Sequence, residues 1–303
     1  MTVGANGAEP PWVWDPTLFA GAAPYYEAGR LPYAPDLVPA LAAALGLTPD
    51  AAVNGRLLDI GCGPGTIALR CAACFARVVG IDPDAEMLQA ARQLAAARGV
   101  SNARWVRMRA EALPARLGRF RAVTFAASLH WLDRAQVFAT VRDMLAADGA
   151  AVHVDNPGYR QSGPALPRQL PPPPEQAMEA LRVRYLGTDR RAGQSIRNNS
   201  PGDEDAVFRA VGFAGPEVVV VPDPRVLQRS VDELVAERFS YSGTAPHLFG
   251  ARKESFERDL RLLLWDASPT GFFSVPLSDN LLKIWRPVGG RGSGRRRLAA
   301  PAV

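Results

Sequence analysis

Apolar and polar positions change their rhythm several times along the chain. Between Arg56 and Asn156, short apolar runs such as RLLDI, RVVGID, FRAVTFAA and AAVHVDN alternate with amphipathic stretches such as TIALRCAACF and AEMLQAARQLAAARG. The apolar runs predict strands, and the amphipathic stretches predict helices. Strands that are apolar on both faces and separated by helices are typical of a parallel sheet covered on both sides. The pattern therefore predicts a doubly wound, mostly parallel α/β fold.

The regular alternation of strands and helices ends after the fifth predicted strand, and further helices and strands follow at irregular intervals. EDAVFRAVGF predicts a helix, PEVVVVPD a strand, VDELVAERFS and ARKESFERDLRLLLWDAS two further helices, and LLKIWRP the last strand. Insertions on a sheet scaffold often cover a substrate. We expect an N-terminal helical cap at 1–50, a cofactor-binding core at 51–156, an insertion at 157–201, more core at 202–222, a helical lid at 223–279, the last core strand at 280–288 and a disordered basic tail at 289–303.

The composition is that of an ordinary soluble enzyme. Apolar residues make up 48% of the 303 residues and charged residues 21%, which is neither disorder-prone nor membrane-like. No apolar run approaches the roughly 20 residues that cross a bilayer, and the first residues lack the pattern of a secretory signal. We expect a cytoplasmic enzyme, a monomer or homodimer, without a membrane partner.

The net charge of +5 does not indicate a nucleic-acid partner. Four of the positive charges belong to the tail, so the rest of the chain carries 5 − 4 = +1; they are Arg291, Arg295, Arg296 and Arg297. The three cysteines, Cys62, Cys71 and Cys74, are an odd number and have no suitably spaced histidines to complete a tetrahedral set. We therefore expect neither a disulfide framework nor a metal site.

A glycine-rich turn follows the first predicted strand, in the stretch LLDIGCGPG at 57–65. In a parallel sheet this turn makes the closest backbone approach to a ligand. Gly61, Gly63 and Gly65 form GxGxG with Thr66 in the sixth place, and not the GxGxxG of dinucleotide sites; a GK[ST] phosphate loop is missing too. Asp59 stands at the end of the strand, where a carboxylate disfavours a pyrophosphate and suits an ammonium group.

A second acidic residue ends the next predicted strand. Asp82 closes RVVGID, 17 residues after Gly65, where a carboxylate can accept hydrogen bonds from both hydroxyls of a ribose. Asp59, the glycines and Asp82 together describe a ligand made of adenosine and a cationic amino acid. The sequence thus predicts S-adenosylmethionine as cofactor and S-adenosylhomocysteine as its product.

These motifs resemble those of the class I S-adenosylmethionine-dependent methyltransferases, in particular the small-molecule type (methyltransferase type 11, trans-aconitate methyltransferase-like). LLDIGCGPG is similar to the first motif of that family and VVGIDPDAEMLQAA to the second, while RMRAEALP, FAASLHWLD and LAADGAAVHV resemble its third, fourth and fifth strand regions. The clear likeness covers about residues 56–155. It implies a seven-stranded, Rossmann-like sheet whose last strand is antiparallel, with helical lid insertions.

The resemblance also implies a set of site residues. In FAGAAPYYEAGRLPY, Tyr26 and Arg30 take the places of a tyrosine and an arginine that close over the methionine end of the cofactor in relatives. Arg109 departs from the pattern, because many relatives have an aspartate there that accepts from adenine; Glu111 is the substitute. The implied cofactor-binding residues are Tyr26, Arg30, Asp59, Gly61, Cys62, Gly63, Gly65, Asp82, Pro83, Met87, Ala110, Glu111, Ala127 and Ser128.

Methyl transfer from a sulfonium is an in-line displacement, which requires positioning and exclusion of water. For a hydroxyl acceptor a general base helps, and His130 is the candidate because it follows the fourth strand at the ligand-facing end. His130 and Trp131 can equally form the floor of the pocket. The expected substrate contacts are Tyr25, Trp131 and His247, although His247 also fits a structural turn.

We expect a methyltransferase that acts on a small molecule, of the kind found in secondary metabolism. Three alternatives stay open at this point. The same fold can bind the cofactor and catalyse a cyclisation or rearrangement without methyl transfer. A nucleic-acid methyltransferase is disfavoured by the nearly neutral body of the chain, and a nicotinamide dehydrogenase by the missing GxGxxG.

Overall fold

A computed structural model describes residues 15–155, 158, 170–189, 191–192, 195–196 and 203–289. Its strands are β1 (Arg56–Ile60), β2 (Arg77–Asp82), β3 (Ala103–Arg107), β4 (Phe120–Ala126), β5 (Leu145–Val154), β6 (Arg191–Ala192), β7 (Ser195–Ile196), β8 (Phe213–Val221), β9 (Val226–Ser230), β10 (Phe272–Pro276) and β11 (Asn280–Pro287). The helices are α1 (Ala23–Gly29), α2 (Leu37–Leu45), α3 (Thr66–Cys71), α4 (Ala85–Ala97), α5 (Arg134–Met144), α6 (Glu175–Leu186), α7 (Glu204–Ala210), α8 (Val231–Ser240) and α9 (Lys253–Ala267).

The centre of the fold is a seven-stranded sheet in the order β3-β2-β1-β4-β5-β11-β8. Strands β1 to β5 pair in parallel, and β11 is antiparallel to both of its neighbours. The direction in which strands are added therefore reverses at β1. Strands β2 and β3 lie on one side of β1, and the connection after β3 crosses to β4 on the other side. The predicted fold, a doubly wound, mostly parallel seven-stranded sheet with an antiparallel last strand, is confirmed.

Both faces of the sheet are buried, as the doubly apolar strands predict. One face packs an aromatic cluster in which Phe208 stacks on Phe138 at 3.7 Å and on Trp285 at 4.8 Å between ring centroids. The other face packs against α2 and α3, with Leu41 and Phe75 in the same cluster. Side-chain burial on both faces fixes the strands, so their carboxyl ends form a stable edge.

A separate helical layer consists of α6, α8 and α9. We call this layer the cap; it is distinct from the N-terminal helical cap predicted at 1–50. The three helices share a buried apolar cluster that includes Met178, Phe239 and Phe256. The helical patterns in VDELVAERFS and ARKESFERDLRLLLWDAS form α8 and α9. A short antiparallel sheet of β9 and β10 flanks them, and the sequence pattern did not predict it.

The N-terminal helix α1 joins the cap to the central sheet. Its last residue, Gly29, approaches α8 so closely that a Cβ atom would lie 2.5 Å from the carbonyl carbon of Ala236. Glycine permits this backbone contact because it has no side chain. The contact packs the end of α1 against the cap, while Tyr26 and Arg30 line the cleft at the carboxyl edge of the sheet. In the described ranges no helix combines the length and the apolar character needed to span a bilayer.

Candidate active site

The glycine turn after β1 is shaped by left-handed backbone and by close neighbours. Gly61, Gly63 and Gly65 have φ values of +67°, +53° and +83°, which favour glycine. A Cβ atom on Gly61 would lie 2.6 Å from Cβ of Ser128, and one on Gly65 would lie 2.6 Å from the Trp105 ring. The glycines therefore let the turn sit directly against β3 and the loop after β4.

Asp82, at the end of β2, is tied to this turn. One carboxylate oxygen accepts a hydrogen bond from the backbone N–H of Gly63 at 2.9 Å, and the other accepts from the N–H of Asp84 at 2.9 Å. Burial raises the pKa of Asp82 to about 6, although these two hydrogen bonds oppose the shift. Each carboxylate oxygen keeps a further acceptor site, so Asp82 can still accept from a pair of hydroxyls.

Asp59, at the end of β1, is 1% exposed. Its carboxylate accepts from the hydroxyl of Thr124 at 2.7 Å and from the N–H of Ala68 at 3.2 Å. Burial is the largest cause that raises the pKa of Asp59 to about 6; the two hydrogen bonds lower it, and the nearby Asp82 raises it further. A buried carboxylate of this kind gains from a cationic partner.

Three small cavities follow the carboxyl edge of the sheet and share Gly61, so they form one cleft. The first, of about 20 Å³, lies at Ala110 and Glu111. The second, of about 80 Å³, lies at Asp82, and the third, of about 40 Å³, lies at Asp59. The cleft thus passes the end of each of the strands β3, β2 and β1 in turn.

A cavity of about 750 Å³ adjoins this cleft beneath the cap. Tyr26 and Ala127 line the large cavity and two of the three small ones, and Trp131 also faces both spaces. We call this space the acceptor cavity. Its walls come from the loop after β4, from α6 and from the end of α8, and its size suits a drug-sized ligand.

Ala127 occupies the meeting point in an uncommon backbone conformation. Its φ of +53° lies in the left-handed region, which residues with a Cβ atom adopt at a free-energy cost. The following hydroxyl, on Ser128, donates to the carbonyl of Ile60 at 2.7 Å and so ties the loop to β1. The strained turn brings the backbone after β4 to the place where the cleft and the cavity meet.

Arg30 projects from the end of α1 into the same region. Its guanidinium lies 4.7 Å from the ring centroid of Tyr26 and 4.4 Å from that of Tyr241, and its Nη2 donates to the carbonyl of Ser240 at 2.7 Å. The Tyr241 hydroxyl donates to the buried carboxylate of Glu237 at 2.7 Å. Cation–π contacts with both rings hold the guanidinium in place.

At the other end of the cleft, Arg109 and Glu111 form an ion pair with 3.2 Å between Nε and Oε2. The second oxygen of Glu111 accepts from the N–H of Asp133 at 3.1 Å. Asp133 itself caps α5 by accepting from the N–H of Gln136. Glu111 therefore lies at the cleft with its carboxylate already engaged on both oxygens.

Two ion pairs line the acceptor cavity. Arg238 donates to both carboxylate oxygens of Glu175, at 2.9 and 2.7 Å, and Arg182 donates to both oxygens of Glu179, at 3.0 and 2.9 Å. His130 lines this cavity without lining the cleft, and its ring lies 4.4 Å from that of Trp131. Among the described residues, no group of three or more acidic, histidine or cysteine side chains could hold a metal ion.

The structure brings most of the sequence-predicted residues together. The cleft is lined by Tyr26, Arg30, Asp59, Gly61, Cys62, Gly63, Asp82, Pro83, Met87, Ala110, Glu111, Ala127 and Ser128. Gly65 supports the turn from behind, against Trp105. Trp131 lines both spaces, and His130 lines the acceptor cavity.

Two predicted substrate contacts lie elsewhere. The Tyr25 ring packs on Phe239 in the cap, 5.0 Å between centroids, and lines none of the four cavities. His247 is in hydrogen-bond contact with the carbonyl of Ala20 through Nδ1 at 3.0 Å, and it is likewise absent from the cavity walls. Both side chains hold the cap and the N-terminal segment together.

Several aromatic residues at the site, Phe256 of the acceptor cavity among them, were not predicted. Phe19 and Tyr241 line the acceptor cavity, and Tyr33 lines the Asp59 end of the cleft. The only sequence signal was the density of aromatic residues before residue 35 and in the lid. That density does not reveal which rings turn toward the sheet edge.

The family described as a methyltransferase domain matches residues 57–149. The uncharacterised methyltransferase YcgJ of Bacillus subtilis (strain 168) is 32% identical over 120 residues, which are 39% of this chain and 47% of that protein. The chain thus spans about half the length of the curated relative that it matches.

Two solved structures are similar at lower identity. The crystal structure of YcgJ from Bacillus subtilis has 21% identity and a TM-score of 0.46 over 82% of this chain and 98% of that one. An S-adenosylmethionine-dependent methyltransferase from Clostridium acetobutylicum has 19% identity and a TM-score of 0.35 over 40% of this chain and 48% of that one.

Proposed function

We propose that the protein transfers a methyl group from S-adenosylmethionine to a small-molecule acceptor, on the basis that residues 57–149 match the family described as a methyltransferase domain. One relationship supports the proposal above all. A narrow cleft that contains Asp82 and Asp59 opens at Tyr26 and Ala127 into a much larger cavity. A donor site that opens into an acceptor site is what a group transfer requires.

The side chains of the cleft fit the parts of this donor in order. Ala110 and Glu111 border the end where an adenine belongs, and Asp82 offers free acceptor positions to ribose hydroxyls. At the other end Asp59 is a buried carboxylate and Arg30 a guanidinium, so the walls carry one charge of each sign. An amino acid with an ammonium and a carboxylate group complements such a pair.

When bound, S-adenosylmethionine supplies an electrophilic methyl group on a sulfonium. The residues of this chain bind the donor, orient it and keep water away. Tyr26, Ala127 and Trp131 border both spaces where they meet and set the direction in which an acceptor approaches. His130 is the imidazole in the acceptor cavity that can remove a proton from a hydroxyl acceptor.

The form of the acceptor cavity favours a small molecule over a nucleic acid. About 750 Å³ between aromatic rings and paired charges accommodates a compact ligand of mixed polarity. Outside the tail the chain carries a charge of only +1, as counted above, which gives little attraction for a phosphate backbone.

Two measurements test the proposal. Isothermal titration should detect saturable binding of S-adenosylhomocysteine, and a panel of small hydroxyl, amine and carboxylate compounds, incubated with radiolabelled S-adenosylmethionine, should yield a labelled product. The absence of binding by either nucleoside would end the proposal. A product isomeric with its acceptor, formed without consumption of the donor, would point to cyclisation or rearrangement on the same fold.

A further inference from the structure

The part of the acceptor cavity that adjoins the Asp82 end of the cleft is aromatic. Phe19, Tyr26 and Trp131 line both spaces, and Phe19 meets Trp131 edge to face with 6.0 Å between ring centroids. The residues common to these two spaces, which are the three aromatic ones and Ala127, carry no formal charge. Because ring pairs gain free energy beyond their buried area, this entrance favours an aromatic group over a saturated one.

The wall of the cavity away from the cleft is charged, and its carboxylates are more exposed than its guanidinium groups. Glu175 and Glu179 lie on one face of α6 and line none of the smaller cavities. The side chain of Glu175 is 44% exposed, against 16% for its partner Arg238. That of Glu179 is 47% exposed, against 11% for Arg182. Arg30, a further cation of the wall, lies between two tyrosine rings and also lines the cleft.

Three side chains of this wall use their hydrogen-bond donors inside the protein. Arg182 donates through Nε and Nη2 to its partner carboxylate, and through Nη1 to a backbone carbonyl at 3.2 Å. The Tyr241 hydroxyl donates to Glu237, and the Thr244 hydroxyl donates to the carbonyl of Arg238. A hydroxyl that donates can still accept, and an ionised carboxylate only accepts. This wall therefore offers mainly acceptors, which a ligand complements with hydrogen-bond donors.

An aromatic entrance and an acceptor-rich wall thus belong to one cavity of about 750 Å³. We propose that the methyl acceptor is an aromatic hydroxyl compound with a positively charged amino arm, whose ring lies at the aromatic entrance and whose ammonium group faces Glu175 and Glu179. In the transfer, the phenol oxygen bonds to the methyl carbon as the carbon–sulfur bond breaks; the electron pair of that bond stays on sulfur, and the phenolic proton passes to the His130 imidazole. This inference rests on the proposed function and adds the chemical class of the acceptor.

The test compares ligands that share a phenol and differ in the arm. Tyramine, tyrosol and 4-hydroxyphenylacetate carry an ammonium, a hydroxyl and a carboxylate group, and 4-(2-aminoethyl)cyclohexanol replaces the ring of tyramine by a saturated one. Each is titrated into the protein saturated with S-adenosylhomocysteine. Tyramine should bind roughly 10-fold more tightly than tyrosol, as expected for a hydrogen bond between charged groups, and 4-hydroxyphenylacetate more weakly than both. The saturated amine should bind about 3- to 10-fold more weakly than tyramine.

Two variants assign the preference to the wall. Glu175→Gln and Glu179→Gln should each lower the affinity for tyramine toward that for tyrosol and leave the affinity for tyrosol unchanged. Asp232→Asn is the matched control, because this carboxylate also pairs with an arginine of the cap, Arg261, and lines none of the four cavities. With S-adenosylmethionine, mass spectrometry of the tyramine product should locate the methyl group on the phenol oxygen.

Equal affinity for tyramine and tyrosol, tighter binding of the acid, an unchanged preference in both glutamine variants or a methyl group on the amine nitrogen would overturn the assignment of the arm. Equal affinity for tyramine and its saturated analogue would overturn that of the ring. If the variants do not fold, the wild-type series decides alone. A protein that binds S-adenosylhomocysteine and none of the four compounds contradicts the acceptor class, whereas one that binds neither S-adenosylhomocysteine nor S-adenosylmethionine contradicts the proposed function itself.

Discussion

The Asp82 carboxylate accepts a hydrogen bond from the backbone N–H of Gly63 at 2.9 Å, which joins the end of β2 to the glycine turn after β1. This contact places an acidic group and a left-handed backbone turn on the same wall of the cleft. The turn is thereby fixed before any ligand arrives, and a fixed site binds with less loss of conformational entropy.

Replacing Asp82 by alanine should weaken binding of S-adenosylhomocysteine by about 1.5–3 kcal/mol, because hydrogen bonds to a charged acceptor are lost. Isothermal titration measures the effect. Asp143→Ala serves as control, since this exposed carboxylate pairs with Arg142 on α5, away from the cleft. An unchanged affinity in Asp82→Ala would show that the ribose does not lie here.

The ligand-free protein should gain stability from Asp59 as the pH falls. The folded pKa of about 6 lies above the reference value of 3.8, so the contribution is fully present below the unfolded pKa and is lost as the pH rises through 6. Between pH 7.5 and pH 5 we expect a gain of about 1 kcal/mol from this group.

Chemical denaturation of the wild type and of Asp59→Asn at both pH values isolates this effect. The asparagine has its own cost at Thr124 and Ala68, but that cost does not depend on pH and cancels in the comparison. The free energy of unfolding of the wild type, minus that of the variant, should be larger at pH 5. A difference that is equal or smaller at pH 5 contradicts the raised pKa.

Gly61→Ala should cost more stability than Gly46→Ala. Both glycines have similar positive φ values, +67° and +62°, so the backbone cost of a Cβ atom is common to the two changes. At Gly61 the new Cβ would lie 2.6 Å from Cβ of Ser128, whereas at Gly46 it meets nothing within 4 Å. We expect an additional loss of about 1–3 kcal/mol in denaturant unfolding for Gly61→Ala; equal losses would mean that the turn and the loop after β4 can separate freely.

Ala127 offers a test of strain at the meeting point of cleft and cavity. Ala127→Gly removes the free-energy cost of the left-handed backbone but raises the conformational entropy of the unfolded chain. Because the two effects oppose each other, the free energy of unfolding of this variant should stay within about 1 kcal/mol of the wild type. Ala127→Val places a β-branched residue at a φ of +53° and should lose about 2 kcal/mol or more. Thermal and denaturant unfolding distinguish the two, and a valine variant as stable as the glycine variant would argue that this loop relaxes.

The sheet was predictable from the sequence because its determinants are local. Apolar runs of strand length, amphipathic stretches between them and glycines in turns can each be recognised from a few neighbouring residues. The acids Asp59 and Asp82 could be placed for the same reason, since strands that run in parallel end at one edge. The β9–β10 sheet was missed because its strands pair across the whole of α8 and α9.

The inner wall of the site was less predictable, because it depends on which way a side chain turns. Tyr25 and Tyr26 are adjacent on α1, and successive helical residues point about 100° apart. Tyr26 faces the cleft while Tyr25 packs into the cap. Tyr33 and Tyr241 line the same end of the cleft although they are far apart in the sequence, and no short motif spans such a separation.

The wall shared by cleft and cavity has a thermodynamic consequence. Since Tyr26, Ala127 and Trp131 border both spaces, whichever ligand enters first completes the surface on which the second one settles. Linkage requires that each ligand then raises the affinity of the other by the same factor. A single compound that joins an adenosyl half to an acceptor half should draw on both surfaces at once, and such a bisubstrate adduct should bind more tightly than either half alone.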